Sequence, residues 1–126
     1  LQIYTLELSS NTQGSSKKPM NSFLEHLEDV SYADEKEKQK ELWDVSGILK
    51  NRLNEKYKFD LRPLVNNVKA GDTKTKADKM VFDLKDKYII VDIKELHQYL
   101  KQNDLKKVYL DDLIFKLEWN IILPKN

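Results

Sequence analysis

The longest apolar run in the chain lies between Met80 and Leu100, and the spacing of apolar residues changes within it. From Met80 to Leu84 apolar residues alternate with other residues, which is typical of a half-buried strand. Residues Tyr88–Val91 include no charged residue, so we expect a strand that is covered on both faces and interior to its sheet. The three residues between the two strands leave room only for a hairpin turn.

A helix is predicted directly after this hairpin. The Asp92 side chain can accept a hydrogen bond from the backbone three residues on, and the Glu95 side chain can reach back to Asp92, which together form a capping box. The residues that then recur at three- and four-residue spacing are Ile93, Leu96, His97 and Leu100. One face of the predicted helix is therefore apolar.

The same criteria predict the elements of the N-terminal half. We expect a strand over Leu1–Leu8, a polar loop over 9–19, and an extended segment or short strand over 56–61. Two helices are predicted between them. The first begins at Ser22 and has the apolar stripe Phe23, Leu24, Leu27 and Val30; the second runs from Asp34 to Leu53 with a charged first half and Gly47 near its middle.

The C-terminal part adds a loop, a helix and a strand. Residues 66–78 are predicted to form a polar loop, and Trp119–Leu123 a strand that ends before Pro124. Residues 109–117 have helical spacing, although a strand remains an alternative there. The whole pattern predicts a single α+β domain over 1–126: one mainly antiparallel sheet of about four or five strands, made of both termini and the central hairpin, packed with about four helices.

Composition and charge exclude several classes of function. The 22 basic and 21 acidic residues give a net charge of +1, so the chain as a whole has no strong attraction for nucleic acid or an anionic membrane. Arg52 and Arg62 are the only arginines, which disfavours bidentate reading of bases. The absence of cysteine excludes disulfides, thiolate catalysis and cysteine-bound zinc. Without a membrane-length apolar run or a signal-peptide pattern, we expect a cytoplasmic or nuclear protein that is not secreted.

One spacing points to chemistry. Asp78 precedes the first hairpin strand, and the triplet Asp92-Ile93-Lys94 follows the second. This arrangement is similar to the core of metal-dependent nucleases of the PD-(D/E)XK type. The resemblance implies that Asp78 and Asp92 hold a divalent cation such as Mg²⁺ and that Lys94 stabilises charge on the scissile phosphate. It also implies a further glutamate from an earlier element. The candidates are Glu41 and Glu55.

The leading functional hypothesis is different, because Asp92 also has a complete structural explanation as a helix cap. We expect a small non-enzymatic interaction module that binds a macromolecular partner, above all a protein, or associates with itself. No cofactor is expected, and a divalent metal only under the nuclease alternative. The expected anchors are Tyr32, Trp43 and Tyr57, as exposed aromatic residues.

For two further groups of residues we expect only a minor functional role. A basic face made by Lys17, Lys18, Lys94 and the loop Lys69–Lys79 would give at most weak, non-specific nucleic-acid binding. His26 and His97 both fall on predicted amphipathic helices, where a structural or surface role is favoured over metal binding.

Overall fold

Two β-sheets and four helices make up the part of the chain that our computed structural model describes, which is residues 4–7, 21–50, 52, 54–62, 67–104 and 106–125. The strands are β1 (Thr5–Glu7), β2 (Leu27–Tyr32), β3 (Val45–Leu49), β4 (Lys56–Arg62), β5 (Asn67–Lys69), β6 (Lys79–Asp83), β7 (Lys87–Asp92), β8 (Lys107–Tyr109) and β9 (Asn120–Pro124). The helices are α1 (Asn21–Leu24), α2 (Glu35–Glu41), α3 (Ile93–Gln102) and α4 (Leu110–Leu113).

The larger sheet has six strands in the order β2-β3-β4-β6-β7-β9. All neighbours are antiparallel except β4 and β6, which run parallel. A parallel pair needs a crossover, and the chain makes it through β5. That strand belongs to the smaller sheet, whose order is β5-β1-β8.

Each face of the larger sheet is covered by a separate hydrophobic core. The α3-side core contains Leu96 of α3, Phe82 and Ile89 of the hairpin, and Leu6 and Val68 of the smaller sheet. The α1-side core contains residues of α1, β3, β4 and the hairpin, among them Phe23, Val45, Phe59, Val81 and Ile90. Successive side chains of β6 and β7 therefore point into different cores, which explains why this hairpin is the most apolar stretch of the chain.

The hairpin, the capped helix and the C-terminal strand agree with the sequence predictions. The β6 and β7 strands pair with Lys79 opposite Asp92, and β7 is interior to its sheet with β9 beyond it. The Asp92 side chain accepts a hydrogen bond of 3.0 Å from Glu95 N at the start of α3. The Glu95 carboxylate, however, accepts hydrogen bonds from the backbone N–H groups of Glu118 and Trp119 rather than completing a capping box.

The prediction of one sheet of four or five strands, shared by both termini and the hairpin, is wrong in two respects. The N-terminal strand β1 pairs with β5 and β8 in the smaller sheet, and two segments with helical spacing add strands to the larger sheet. The first predicted helix ends at Leu24, and β2 follows, with a bulge at which Asp29 has a φ of 54°. The second ends at Glu41, where Leu42 adopts a left-handed φ of 61°, and β3 follows. In β3 a Cβ added at Gly47 would lie 3.2 Å from Leu27 Cβ, so the glycine permits close approach of β2.

The remaining predictions are partly confirmed. Residues Lys56–Arg62 form a strand rather than an extended link. The predicted loop 66–78 contains β5 near its start, and 109–117 contains the end of β8 followed by the short helix α4. The predicted strand over Leu1–Leu8 is seen as β1, whereas 1–3, Leu8 and the polar loop 9–19 lie outside the described residues. None of the described helices is long and apolar enough to span a membrane.

Candidate functional site

A polar pocket of about 460 Å³ lies where β6 and β7 meet the start of α3. Its lining residues are Glu55, Lys56, Tyr57, Ala77, Asp78, Lys79, Asp92, Lys94 and Trp119. The structure therefore brings together the three residues of the nuclease alternative, Asp78, Asp92 and Lys94, and adds Glu55. Glu41, the other proposed glutamate, is not among the lining residues.

Three hydrogen bonds, two of its backbone and one of its side chain, fix Asp78 between three elements. Its N–H donates to the carbonyl of Lys58 at 2.8 Å, and its Oδ2 accepts from Lys58 N at 2.8 Å. Its carbonyl accepts from Ile93 N at 3.1 Å. Asp78 thus links β4 to the junction of β7 and α3, while its side chain stays exposed at the pocket.

Asp92 is fully engaged by neighbouring groups. Its Oδ1 lies 2.7 Å from the Nζ atom of Lys79, and its Oδ2 accepts from Glu95 N. Lys79 is buried, with 6% of its surface exposed. Its ammonium lies 3.8 Å from the ring centroid of Trp119 and 4.6 Å from that of Tyr57. A carboxylate and two aromatic faces thereby replace the water that a buried ammonium loses.

Tyr57 forms one wall of the pocket as a neutral hydrogen-bond donor. Its hydroxyl donates to Glu55 Oε2 at 3.1 Å, and its ring packs edge-on against Trp119. Burial raises the pKa of Tyr57 above its ordinary value of 10.0, and the hydrogen bond to Glu55 and the nearby charges of Asp78 and Asp92 raise it further. The tyrosinate form is therefore disfavoured.

Lys94 differs from the other charged residues of the pocket. It lies in the first turn of α3 rather than at the end of a strand, and it is exposed. Its ammonium has no hydrogen-bond or ion-pair partner within the described ranges. Lys94 is thus placed to contact a ligand without first breaking an internal contact.

The donor set does not fit a metal centre in this arrangement. No three histidine or acidic side chains of the described residues are placed to hold one metal ion. The carboxylate of Asp92 is already neutralised by Lys79, and Glu41 is engaged by Trp43 Nε1 at 2.9 Å and by Lys58 Nζ at 3.2 Å. A divalent cation would have to displace the Lys79 ammonium from Asp92.

Two of the three predicted anchors are not exposed. Trp43 and Tyr57 are 4% and 7% exposed, so the expectation of exposure is wrong for both; Tyr32 is 61% exposed. Exposed residues that the sequence analysis missed are Phe115 (83%), Tyr109 (54%) and Ile122 (38%). The apolar stripe of 110–117 contained the necessary signal, because helical spacing leaves Phe115 outside it.

The two histidines and two lysines of the predicted basic face make contacts within the fold. Buried His97 has its Nε2 within 3.1 Å of the carbonyl of Ala70, and burial is the main cause that lowers its pKa below the ordinary 6.5. His26 is half-buried near Tyr88. Two lysines of the predicted basic face form ion pairs, Lys69 with Glu7 and Lys79 with Asp92, which lowers the positive charge of that face. Lys17 and Lys18 lie outside the described residues.

Comparisons of the chain with protein-family models, with curated proteins and with solved structures found no match.

Proposed function

We propose that the chain is a non-enzymatic interaction module that binds a protein partner through exposed aromatic residues. The observation that supports this function most directly is the exposure of Phe115, at 83% of its surface. Burying a phenylalanine side chain contributes roughly 1.5–3 kcal/mol, and the described fold leaves this contribution unused. A partner that covers Phe115 would gain it.

The surroundings of Phe115 favour a protein partner. It follows α4, whose Leu110 and Leu113 are fully buried, and Tyr109 at the other end of that helix is 54% exposed. The buried leucines anchor the backbone of the segment, so little backbone entropy remains to be lost on binding. Aromatic residues on a rigid support are typical of the centres of protein interfaces. Tyr32 on β2 remains a further candidate anchor.

The test compares variants of neighbouring exposed residues. Phe115→Ala should leave the free energy of unfolding within about 0.5 kcal/mol of the wild type, because the side chain is exposed. It should reduce recovery of a stoichiometric protein partner in a pull-down by about tenfold or more. Lys116→Ala, also exposed, is the matched control and should retain the partner, as should the wild type in the presence of a chelator. Recovery that is unchanged by Phe115→Ala, or no partner at all, would contradict the proposal.

A second candidate function is the metal-dependent nuclease. The shared pocket of Asp78, Asp92 and Lys94 favours it, and the ion pair of Asp92 with Lys79, which a divalent cation would have to break, opposes it. Asp92→Ala is a poor probe, because it also leaves the buried Lys79 ammonium without its carboxylate, which is strongly destabilising. Lys94→Ala is cleaner, since Lys94 is exposed and makes no hydrogen bond or ion pair within the described ranges.

For this candidate we expect DNA cleavage in the presence of Mg²⁺ or Mn²⁺ that is lost in Lys94→Ala and in Asp78→Asn. The Asp78→Asn variant keeps an oxygen that can accept from Lys58 N, so its fold should persist. Lys101→Ala, exposed on the same helix, should cleave as the wild type does. A wild-type chain that is inactive with both metals would eliminate the nuclease function and leave the interaction module unaffected.

A further inference from the structure

The strand β9 is an edge strand of the larger sheet. Its backbone N–H and C=O groups point alternately toward β7 and toward the open side. Lys125 N donates to Asp86 O at 2.8 Å, just past the paired residues Pro124 and Lys87. Hydrogen-bonded pairs alternate with non-hydrogen-bonded pairs in an antiparallel ladder. The backbone groups of Ile121 and Leu123 therefore bond to β7, while those of Asn120, Ile122 and Pro124 point away from it.

No other strand of the described residues pairs with this open side of β9. Ile122 is opposite Ile89, whose side chain lies in the α3-side core, and Ile122 itself is 38% exposed. An unpaired backbone edge with an exposed apolar side chain is a template for pairing with another strand.

The other edge strands of the described sheets carry charges, which disfavour such pairing. The edge strand β2 has exposed Glu28 and Asp29 and a bulge between Glu28 and Ser31. The strands β5 and β8, at the edges of the smaller sheet, include Lys69 and Lys107 and have three residues each. By contrast, β9 has the sequence NIILP and no charged residue.

We propose that β9 pairs with β9 of a second copy of this chain, antiparallel and centred on Ile122. In this register the two Ile122 residues exchange a reciprocal pair of backbone hydrogen bonds. Asn120 N–H of each copy donates to the Pro124 carbonyl of the other. Pro124 has no N–H, so the Asn120 carbonyl opposite it receives no hydrogen bond, and four backbone hydrogen bonds join the two copies in this register.

Side chains are compatible with the same pairing. The two exposed Ile122 side chains lie directly opposite each other on one face of the joined sheet, where they cover one another. Two six-stranded sheets become one continuous sheet across the two-fold axis. This pairing rests on the backbone edge and not on Phe115, so it stands apart from the proposed function.

The cysteine-free chain permits a direct test, because Ile122→Cys introduces a single thiol. Directly opposed residues of a hydrogen-bonded antiparallel pair have Cα atoms about 5.5 Å apart, which a disulfide can bridge. Mild oxidation of Ile122→Cys should give mostly covalent dimer on a non-reducing gel. Tyr32→Cys on the β2 edge and Lys40→Cys on α2, both exposed, should remain mostly monomeric.

Sedimentation velocity of unmodified chains completes the test. The wild type should show a concentration-dependent dimer, and Ile122→Lys should associate about tenfold more weakly, because like charges directly opposite each other destabilise a strand pair. Glu28→Lys on the β2 edge is the control and should dimerise as the wild type does. A wild type that stays monomeric at the highest reachable concentration would overturn the pairing, as would cross-linking of Tyr32→Cys as efficient as that of Ile122→Cys.

Discussion

At the scale of single residues, the most unusual contact is a buried ion pair on the α3 side of the larger sheet. Arg62 Nη2 lies 2.5 Å from Asp60 Oδ2, and the two residues are 2% and 8% exposed. The Nε and Nη1 atoms of Arg62 are buried and have no hydrogen-bond partner among the residues that the structure describes. Gly71, at φ +83°, packs on this guanidinium so closely that an added Cβ would lie 2.6 Å from Nη2.

This burial makes Asp60 a source of pH-dependent stability. Burial raises the pKa of Asp60 from 3.8 to about 6, outweighing the opposing effect of the Arg62 charge. Since the folded state binds the proton more tightly than the unfolded state, the contribution is full below about pH 4 and is lost as pH rises through about 6.

The prediction compares the wild type with Asp60→Asn between pH 4 and 7. Over this range the wild type should lose up to about 3 kcal/mol of unfolding free energy relative to the variant, because one pKa unit corresponds to about 1.4 kcal/mol. Denaturant titrations at several pH values measure the difference. The change of this difference with pH reports on Asp60 titration, whereas its absolute size also includes the loss of the ion pair with Arg62. A flat difference would mean that the Arg62 charge cancels the effect of burial.

At the scale of elements, the start of α3 organises its surroundings through two acidic side chains. Asp92 caps the helix, and Glu95 accepts hydrogen bonds from Glu118 N at 2.6 Å and Trp119 N at 3.0 Å. These N–H groups belong to the turn just before β9. One helix turn therefore fixes both the pocket and the entry of the last strand.

Removing the Glu95 carboxylate should loosen this connection. We expect Glu95→Ala to cost about 1.5–3 kcal/mol, the usual range for hydrogen bonds to a charged group, and to speed hydrogen exchange at the amides of Glu118 and Trp119. Glu95→Gln retains one oxygen acceptor and should lose less than the alanine variant. Equal effects of the two substitutions would show that packing, and not hydrogen bonding, makes the connection.

At the scale of the whole molecule, the central hairpin joins the two cores. Its strands place Phe82 and Ile89 in the α3-side core and Val81 and Ile90 in the α1-side core. The smaller sheet contributes Leu6, which is fully buried, to the α3-side core. Loss of packing in one core should therefore lower the stability of the whole fold.

We expect Leu6→Ala to lower the unfolding free energy by about 2–5 kcal/mol, although β1 has only three residues. Unfolding should remain a single transition, with circular dichroism and tryptophan fluorescence coinciding. Trp43 lies in the α3-side core and Trp119 packs against the other, so fluorescence reports on both. Lys106→Ala, exposed, is the control. A separate early transition in Leu6→Ala would indicate that the smaller sheet unfolds on its own.

The sequence predicted the hairpin and the Asp92 cap because these depend on neighbours in the chain. Asp78, Asp92 and Lys94 lie close to one hairpin, so their common pocket follows from local pairing. The ion pair of Asp92 with Lys79 also lies within this hairpin, but the aromatic faces of Tyr57 and Trp119 come from distant β4 and the turn before β9. No local pattern specifies that second set of contacts.

The sequence by itself determined the α+β class, the β6–β7 hairpin and the capped helix α3, since apolar period and capping chemistry act within a few residues. Only the tertiary structure decided that residues 27–32 and 45–49 are strands. Their spacing suits a helix, but they pair with each other and β3 pairs with β4, so burial in the α1-side core outweighs local propensity. The same long-range pairing buries Trp43 and Tyr57 and leaves Phe115 exposed, because exposure is a property of the assembled cores and not of any segment.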